Sequence, residues 1–161
     1  MALAPLPSAR PLVAIAIVCL AAVGAALVSQ HLFDMQPCPW CVLQRLIFIA
    51  IALVCLIGAA IPARPGRSGA ALLAGLLALC GIAAALWQHF KAAASASCNL
   101  TLADKIIGAL GLDSLLPDVF SPRASCADAA VSLLGIPYDF WSLALFVLCA
   151  VAVLRTLRRP A

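Results

Sequence analysis

The chain has 161 residues, of which 66% are hydrophobic and only 10% are charged. Because a soluble domain carries about 25% charged residues, this composition excludes an ordinary water-soluble protein and predicts a single integral membrane domain over residues 1–161. The net charge of +4 does not indicate binding to nucleic acid, because most of the arginines lie beside long apolar runs.

Four apolar segments predict an all-α fold, an integral membrane four-helix bundle with a long outer loop between spans three and four. Each segment approaches the roughly 20 residues that a helix needs to cross a bilayer. They cover about residues 12–32, 42–61, 70–87 and 138–154. The first apolar run is longer than the core of a signal peptide and precedes no small-residue cleavage site, so we expect it to remain in the chain.

Arginine placement predicts the orientation of the bundle. The regions before the first span, between the second and third spans, and after the fourth span all lie on one side and contain six arginines: Arg10, Arg64, Arg67, Arg155, Arg158 and Arg159. An arginine excess is typical of the cytoplasmic side. We therefore expect both termini in the cytoplasm of a bacterium, and the loops 31–41 and 88–137 on the periplasmic side of its inner membrane.

The first outer loop ends in the motif Cys38-Pro39-Trp40-Cys41 at the mouth of span two. A C-x-x-C pair is more often redox-active than structural, because one thiol can resolve a mixed disulfide on the other. Zinc would need two further ligands at a matching spacing, so we expect no metal. Arg45 lies one helical turn after Cys41, where its charge would favour a thiolate. An arginine within a span indicates a functional site, although snorkelling toward headgroups is the alternative.

Two electrons from a dithiol at the membrane edge need an acceptor. The sequence contains no haem motif, iron–sulfur spacing or dinucleotide-binding glycine motif. A lipid-soluble quinone, ubiquinone or menaquinone, is the remaining common acceptor at that depth. His89 ends the third span on the same side, where it is either a hydrogen-bond donor or proton source for the quinone, or an interfacial histidine without a catalytic role.

The second outer loop contains Cys98 and Cys126. With Cys38 and Cys41, they make an even number of cysteines on the oxidising side. We therefore predict two pairs, Cys38 with Cys41 by proximity and Cys98 with Cys126 by elimination. Apolar residues at near-helical spacing over 106–116 predict either an amphipathic helix on the membrane surface or a segment packed on the bundle. The remaining cysteines fall within the spans and are interpreted as inert small apolar residues: Cys19, Cys55, Cys80 and Cys149.

The residues around the motif resemble a known family. Residues 37–45, Pro-Cys-Pro-Trp-Cys-Val-Leu-Gln-Arg, are similar to the P-C-x-x-C-x-x-x-R signature of the DsbB family, the disulfide bond formation proteins B. Residues 125–127, 134–137 and 141–143 resemble that family's last outer loop and the entry to its fourth helix. The resemblance covers nearly the whole chain. It implies an enzyme that re-oxidises DsbA, a periplasmic thioredoxin-like thiol oxidase, and passes the electrons to a membrane quinone.

The resemblance also implies a route for the electrons. Cys98 would hold the mixed disulfide with the partner, and the released Cys126 would exchange with Cys38. Cys41 would then remain as a thiolate beside the quinone, stabilised by Arg45. His89 resembles the family's quinone-side histidine. Gln44 stands where family members vary, so the resemblance gives it no role.

Two other functions are compatible with parts of this pattern. Vitamin K epoxide reductase also places a C-x-x-C beside a quinone, but its motif lies on the last span, after the loop cysteines. Here the motif precedes them. The alternative from another class is a non-catalytic membrane protein stapled by two disulfides, for which Arg45 would be dispensable and the cysteines would never cycle.

Overall fold

The computed structural model describes residues 9–92 and 101–158. Its four long helices are α1 (Ala9–Leu32), α2 (Pro39–Ala60), α3 (Arg64–Trp87) and, last in the chain, α7 (Tyr138–Arg158). A π-helical segment, Gln88–Ala92, continues α3. All four helices are long and apolar enough to cross a membrane, which confirms the predicted all-α, four-span architecture.

Helices α2 and α3 begin earlier than the sequence predicted, at Pro39 and Arg64. Proline is tolerated in the first turn of a helix, where its missing N–H has no intrahelical partner. From their prolines, glycines and arginines, residues 62–69 are predicted to form a basic, helix-breaking turn between spans two and three. This prediction is wrong for most of its length, because Pro65 starts a helix there instead of breaking one. The early start of α2 places Cys41 in the first turn of that helix.

The long helices form a ring in which each packs on the next and α7 closes against α1. Helix α2 is the most enclosed, with 50% of its most apolar stretch buried, whereas only 17% of the corresponding stretch of α7 is buried. The inward face of α3 consists largely of small residues, including Ala71, Ala74, Ala78 and Gly81. Small residues let helices approach closely where no hydrophobic effect drives them together.

Gly81 accommodates an aromatic ring from α7. A Cβ built at Gly81 would overlap the Phe146 ring, which stacks on Phe48 with ring centroids 4.0 Å apart. We expect Gly81→Ala to lower the free energy of unfolding by about 1–3 kcal/mol, because this buried ring stack has no room to move. Thermal unfolding in detergent, followed by circular dichroism, measures the change.

Gly24 of α1 offers a matched control for that substitution, because a Cβ there would meet nothing within 4 Å. Gly24→Ala should leave stability unchanged or raise it slightly, since alanine is the better helix former. Equal unfolding temperatures for Gly81→Ala and Gly24→Ala would contradict the packing argument.

The connection between α3 and α7 contains α4 (Leu102–Ala109), α5 (Leu112–Leu115) and α6 (Pro117–Phe120). Helix α4 begins with a capping box in which Thr101 and Asp104 satisfy each other's backbone N–H groups. Its apolar side is buried at Ala103 and Ile107, and it packs on α2. The predicted amphipathic segment is thus helical and packs on the bundle.

A two-residue hairpin precedes α7. Strands β1 (Ser132–Leu133) and β2 (Ile136–Pro137) pair in antiparallel register. The turn residues Leu134 and Gly135 have φ values of 55° and 79°. Two successive positive φ angles are typical of the tight turns that match strand twist. These two short strands were not predicted from the sequence.

Candidate redox site

The first turn of α2 brings the sulfurs of the C-x-x-C motif together. Cys38 is the N-cap residue, and its Sγ accepts a hydrogen bond from the backbone N–H of Cys41 at 3.3 Å. The two Sγ atoms lie 2.7 Å apart. Pro39 occupies the first helical position and fixes the backbone between them. The helix start therefore orients both thiols toward each other.

Cys126 lies beside Cys38. Its sulfur is near enough to the Cys38 thiol and to the backbone N–H of Trp40 for both to influence it. The N–H groups of residues 123 and 124 donate to the Pro37 carbonyl at 2.9 and 3.3 Å. These two backbone bonds fix the Cys126 segment beside the motif, so three of the four predicted redox cysteines meet at one point. Cys98, the fourth, lies outside the described residues.

The interaction between Cys38 and Cys126 shifts the pKa values of the two thiols in opposite directions. The hydrogen bonds that Cys38 makes to Cys126 and Cys41, together with its burial, raise the pKa of the Cys38 thiol. The same bond from Cys38 lowers the pKa of Cys126, against the opposing effect of burial.

Arg45 is buried in a network that the sequence did not reveal. Its guanidinium donates to Gln30 Oε1 at 2.7 Å, to the Val119 carbonyl at 3.1 Å and to the Ala26 carbonyl at 3.5 Å. Its charge also interacts with Cys41, although the described residues show no hydrogen bond between the two side chains. Arg45 therefore ties α6 to α1 and α2 besides placing a positive charge near Cys41.

Two buried glutamines form a hydrogen-bonded chain that ends at the Cys41 sulfur, and sequence reasoning missed both. Gln88 donates from Nε2 to Cys41 Sγ at 3.3 Å, and Gln44 donates from Nε2 to Gln88 Oε1 at 2.7 Å. Gln44 lies three residues after Cys41 and so shares its helix face. That spacing was the available signal. The sequence signal for Gln30, the buried partner of Arg45, was weaker, because a glutamine near the end of a span is usually read as part of the polar boundary.

His89 does not touch the cysteines in the described structure. Its Nδ1 lies 2.8 Å from Asp139 Oδ2, and its ring packs against Phe140 with centroids 4.5 Å apart. The pair joins the end of α3 to the start of α7. The imidazole and the dithiol thus belong to separate clusters.

Two cavities flank the start of α2. One, of about 220 Å³, is bordered by Gln44, Arg45, Tyr138 and Trp141, and we call it the Arg45 cavity. The other, of about 920 Å³, is lined mainly by apolar side chains together with Cys126, and we call it the Cys126 cavity. The Arg45 cavity combines a cation with aromatic walls, whereas the Cys126 cavity is open and largely apolar.

Similarity to known proteins resolves the class of this site. The profile described as "DsbB: Disulfide bond formation protein DsbB" matches residues 8–156. The chain belongs to the DsbB family. It is 39% identical over 158 residues to "Disulfide bond formation protein B 1" of Pseudomonas syringae pv. syringae (strain B728a), covering 94% of this chain and 92% of that protein. It is 34% identical over 151 residues to "Disulfide bond formation protein B" of Herminiimonas arsenicoxydans, covering 92% and 95%.

Membership in the DsbB family confirms the resemblance carried by residues 37–45 and 125–143. As a DsbB family member with four apolar helices, the chain is a multi-pass membrane oxidoreductase of disulfide bond formation. The spans contain further thiols, and Cys19 and Cys149 approach to 3.7 Å between α1 and α7. These two sulfurs lie between α1 and α7, apart from the motif at the start of α2, and their interpretation as inert space-filling residues stays a prediction.

Proposed function

We propose that this protein re-oxidises a DsbA-like periplasmic thiol oxidase and passes the electrons through its cysteines to a membrane quinone. The single observation that carries this proposal is the row of sulfurs at the start of α2, where Cys38 lies beside Cys126 and 2.7 Å from Cys41. A sulfur between two others can exchange with each in turn. A merely structural pair of disulfides would have no need of that contact.

The proposed sequence of bonds conserves atoms and electrons. A thiolate of the reduced partner attacks Cys98 of a Cys98–Cys126 disulfide, which forms a mixed disulfide and releases Cys126 as a thiolate. The second partner thiol then attacks the mixed disulfide, so the partner leaves oxidised and Cys98 is reduced. Cys126 meanwhile attacks Cys38 of the Cys38–Cys41 disulfide and releases Cys41 as a thiolate. Cys98 finally displaces Cys38, which restores Cys98–Cys126 and leaves the motif reduced.

The residues of the Arg45 cavity fit a quinone headgroup. Arg45 carries five N–H donors, and the described residues accept from it at three atoms, so donors remain for a carbonyl oxygen. Tyr138 and Trp141 provide flat apolar walls. Bound there, ubiquinone or menaquinone would supply the acceptor for two electrons and two protons. Arg45 would orient its oxygen and hold the negative charge of Cys41.

The proposal places the reacting cysteines on the periplasmic side of a bacterial inner membrane, with both termini in the cytoplasm. The arginine distribution supports this orientation. His89 is proposed as a proton source at the same end, held by Asp139. Activity is tested by mixing the purified protein with a reduced DsbA-like oxidase and a ubiquinone analogue. Loss of quinone absorbance is expected, and unchanged absorbance with an intact bundle would exclude the quinone-linked reaction.

A reduced oxidase that lacks its second cysteine should be trapped on Cys98. Its remaining thiolate attacks the Cys98–Cys126 disulfide and releases Cys126 as a thiolate, and no second partner thiol is present to resolve the mixed disulfide. Mass spectrometry of peptides from non-reduced samples identifies the bonded residues. A Cys98→Ala variant serves as the control and should form no such adduct. An adduct on Cys38 or Cys41 instead would contradict the proposed order of transfer.

A further inference from the structure

The side-chain amides of Gln44 and Gln88 are buried inside the membrane bundle, where polar groups are unfavourable unless they are hydrogen-bonded. Gln44 is only 3% exposed and Gln88 only 6% exposed, and both are surrounded by apolar side chains of the bundle. A buried amide without partners costs free energy, so its hydrogen bonds matter. Here the Gln44 amide donates to Gln88, and the Gln88 amide in turn donates to the Cys41 sulfur.

We propose that Gln88 is the hydrogen-bond donor that stabilises the thiolate of Cys41, and that Gln44 is a positioning residue that fixes the orientation of the Gln88 amide. A donor to the charged form of an acid favours that form. Hydrogen bonds to an ionised acceptor are about twice as strong as neutral ones. The inference rests on the proposed function in taking Cys41 as the sulfur from which electrons leave.

The orientation of the Gln88 amide decides its effect. A carboxamide presents N–H donors on one side and a carbonyl acceptor on the other. Turned by half a rotation, Gln88 would direct its oxygen at the Cys41 sulfur and would disfavour the thiolate. Gln44 directs its Nε2 donor at Gln88, so that Gln88 Oε1 faces Gln44 and Gln88 Nε2 faces Cys41.

The backbone supports this placement. Gln88 begins the π-helical segment that ends α3, and its wider turn changes which side chains face the bundle from that point on. Single π-helical turns inside α-helices occur frequently at functional sites. Arg45 adds its charge nearby, but its own hydrogen bonds go to Gln30, Val119 and Ala26. Among the described side chains outside the motif, Gln88 is the one that donates directly to the Cys41 sulfur.

The experiment measures the reactivity of Cys41 without partner or quinone. In a Cys38→Ser background, the rate of Cys41 alkylation by iodoacetamide is followed against pH, with the modified peptide quantified by mass spectrometry. Gln88→Met removes the donor and keeps the length of the side chain. We expect it to slow alkylation at neutral pH by about 10- to 100-fold and to move the pH profile upward, because alkylation requires the thiolate.

Gln44→Met should change the rate in the same direction by a smaller factor. Since Gln44 acts only through Gln88, the double variant should match Gln88→Met alone instead of adding the two effects. Gln36→Met is the matched control, because Gln36 lies near the motif but bonds to Asp34. It should leave the profile unchanged.

An unchanged pH profile for Gln88→Met would overturn the proposal, as would additive effects in the double variant. Circular dichroism verifies that each variant keeps its helices. Failure of quinone reduction by the unmodified protein would refute the proposed function but leave the alkylation result standing. The two ideas therefore fail separately.

Discussion

In a Cys41→Ser variant, Cys38 is expected to become bonded to Cys126 while quinone reduction stops. The Cys38 sulfur contacts Cys126 and Cys41, so loss of Cys41 leaves Cys126 as its neighbour. Cys38 can then attack Cys126 of the Cys98–Cys126 disulfide, which releases Cys98 as a thiol and needs no outside oxidant. Turnover should fall about a thousandfold or more, as expected when one of several residues that act together in covalent catalysis is removed.

Peptide mapping of non-reduced Cys41→Ser protein measures the bond, and quinone absorbance measures turnover. Cys80→Ala is a suitable control, because Cys80 is exposed on α3 and lies outside the row of sulfurs. It should retain both the wild-type connectivity and the wild-type rate. Free thiols at both Cys38 and Cys126 in the Cys41→Ser protein, or continued quinone reduction, would contradict a relay through Cys38.

Replacement of Arg45 by methionine is expected to slow quinone reduction by about 10- to 100-fold, the effect of losing a hydrogen bond to a charged group. The substitution removes the positive charge near Cys41 and the donor that borders the Arg45 cavity. It also leaves Gln30 Oε1 without its donor, at a cost of about 1–3 kcal/mol in stability. Arg45→Lys keeps the charge and should recover part of the rate.

Gln30→Met separates the two roles of Arg45. It removes the bond from Arg45 to Gln30 and the bond from Gln30 Nε2 to the Asp118 carbonyl, at 3.2 Å, but keeps the guanidinium. If charge is what matters, Gln30→Met should lower the unfolding temperature while retaining most of the quinone reduction rate. Equal loss of rate in Gln30→Met and Arg45→Met would show that Arg45 acts mainly by fastening α6.

The features that depend on local sequence could be predicted, and those that depend on which helix faces which could not. Span length and the C-x-x-C spacing are local, so four helices and the position of the motif followed directly. The approach of Gln88 to Cys41 joins residues 47 positions apart, and it depends on a π-helical turn that the local residue pattern does not signal. The contact between Cys126 and Cys38 was implied only by the family resemblance.

Proline and glycine were the main source of error in the fold. Pro65, together with the glycines at residues 66 and 69, indicated a break, whereas they lie in the opening turns of α3. Whether such a residue breaks a helix or begins one depends on whether it lies inside the helix or in its first turn, and the local pattern alone does not decide this. The Leu134-Gly135 turn was missed for the reverse reason, since leucine rarely adopts a positive φ.

Helix α7 is the least buried of the four spans, and this has a consequence for biosynthesis. Helices α1, α2 and α3 already pack in sequence, and α7 emerges last and joins at the periphery. Until it inserts, the Arg45 cavity lacks the walls that Tyr138 and Trp141 provide. A nascent chain would thus hold its C-x-x-C motif and Cys126 before it holds a complete quinone site, and competence would arrive only when translation finishes. Truncation ahead of Tyr138 should yield an inserted but idle protein.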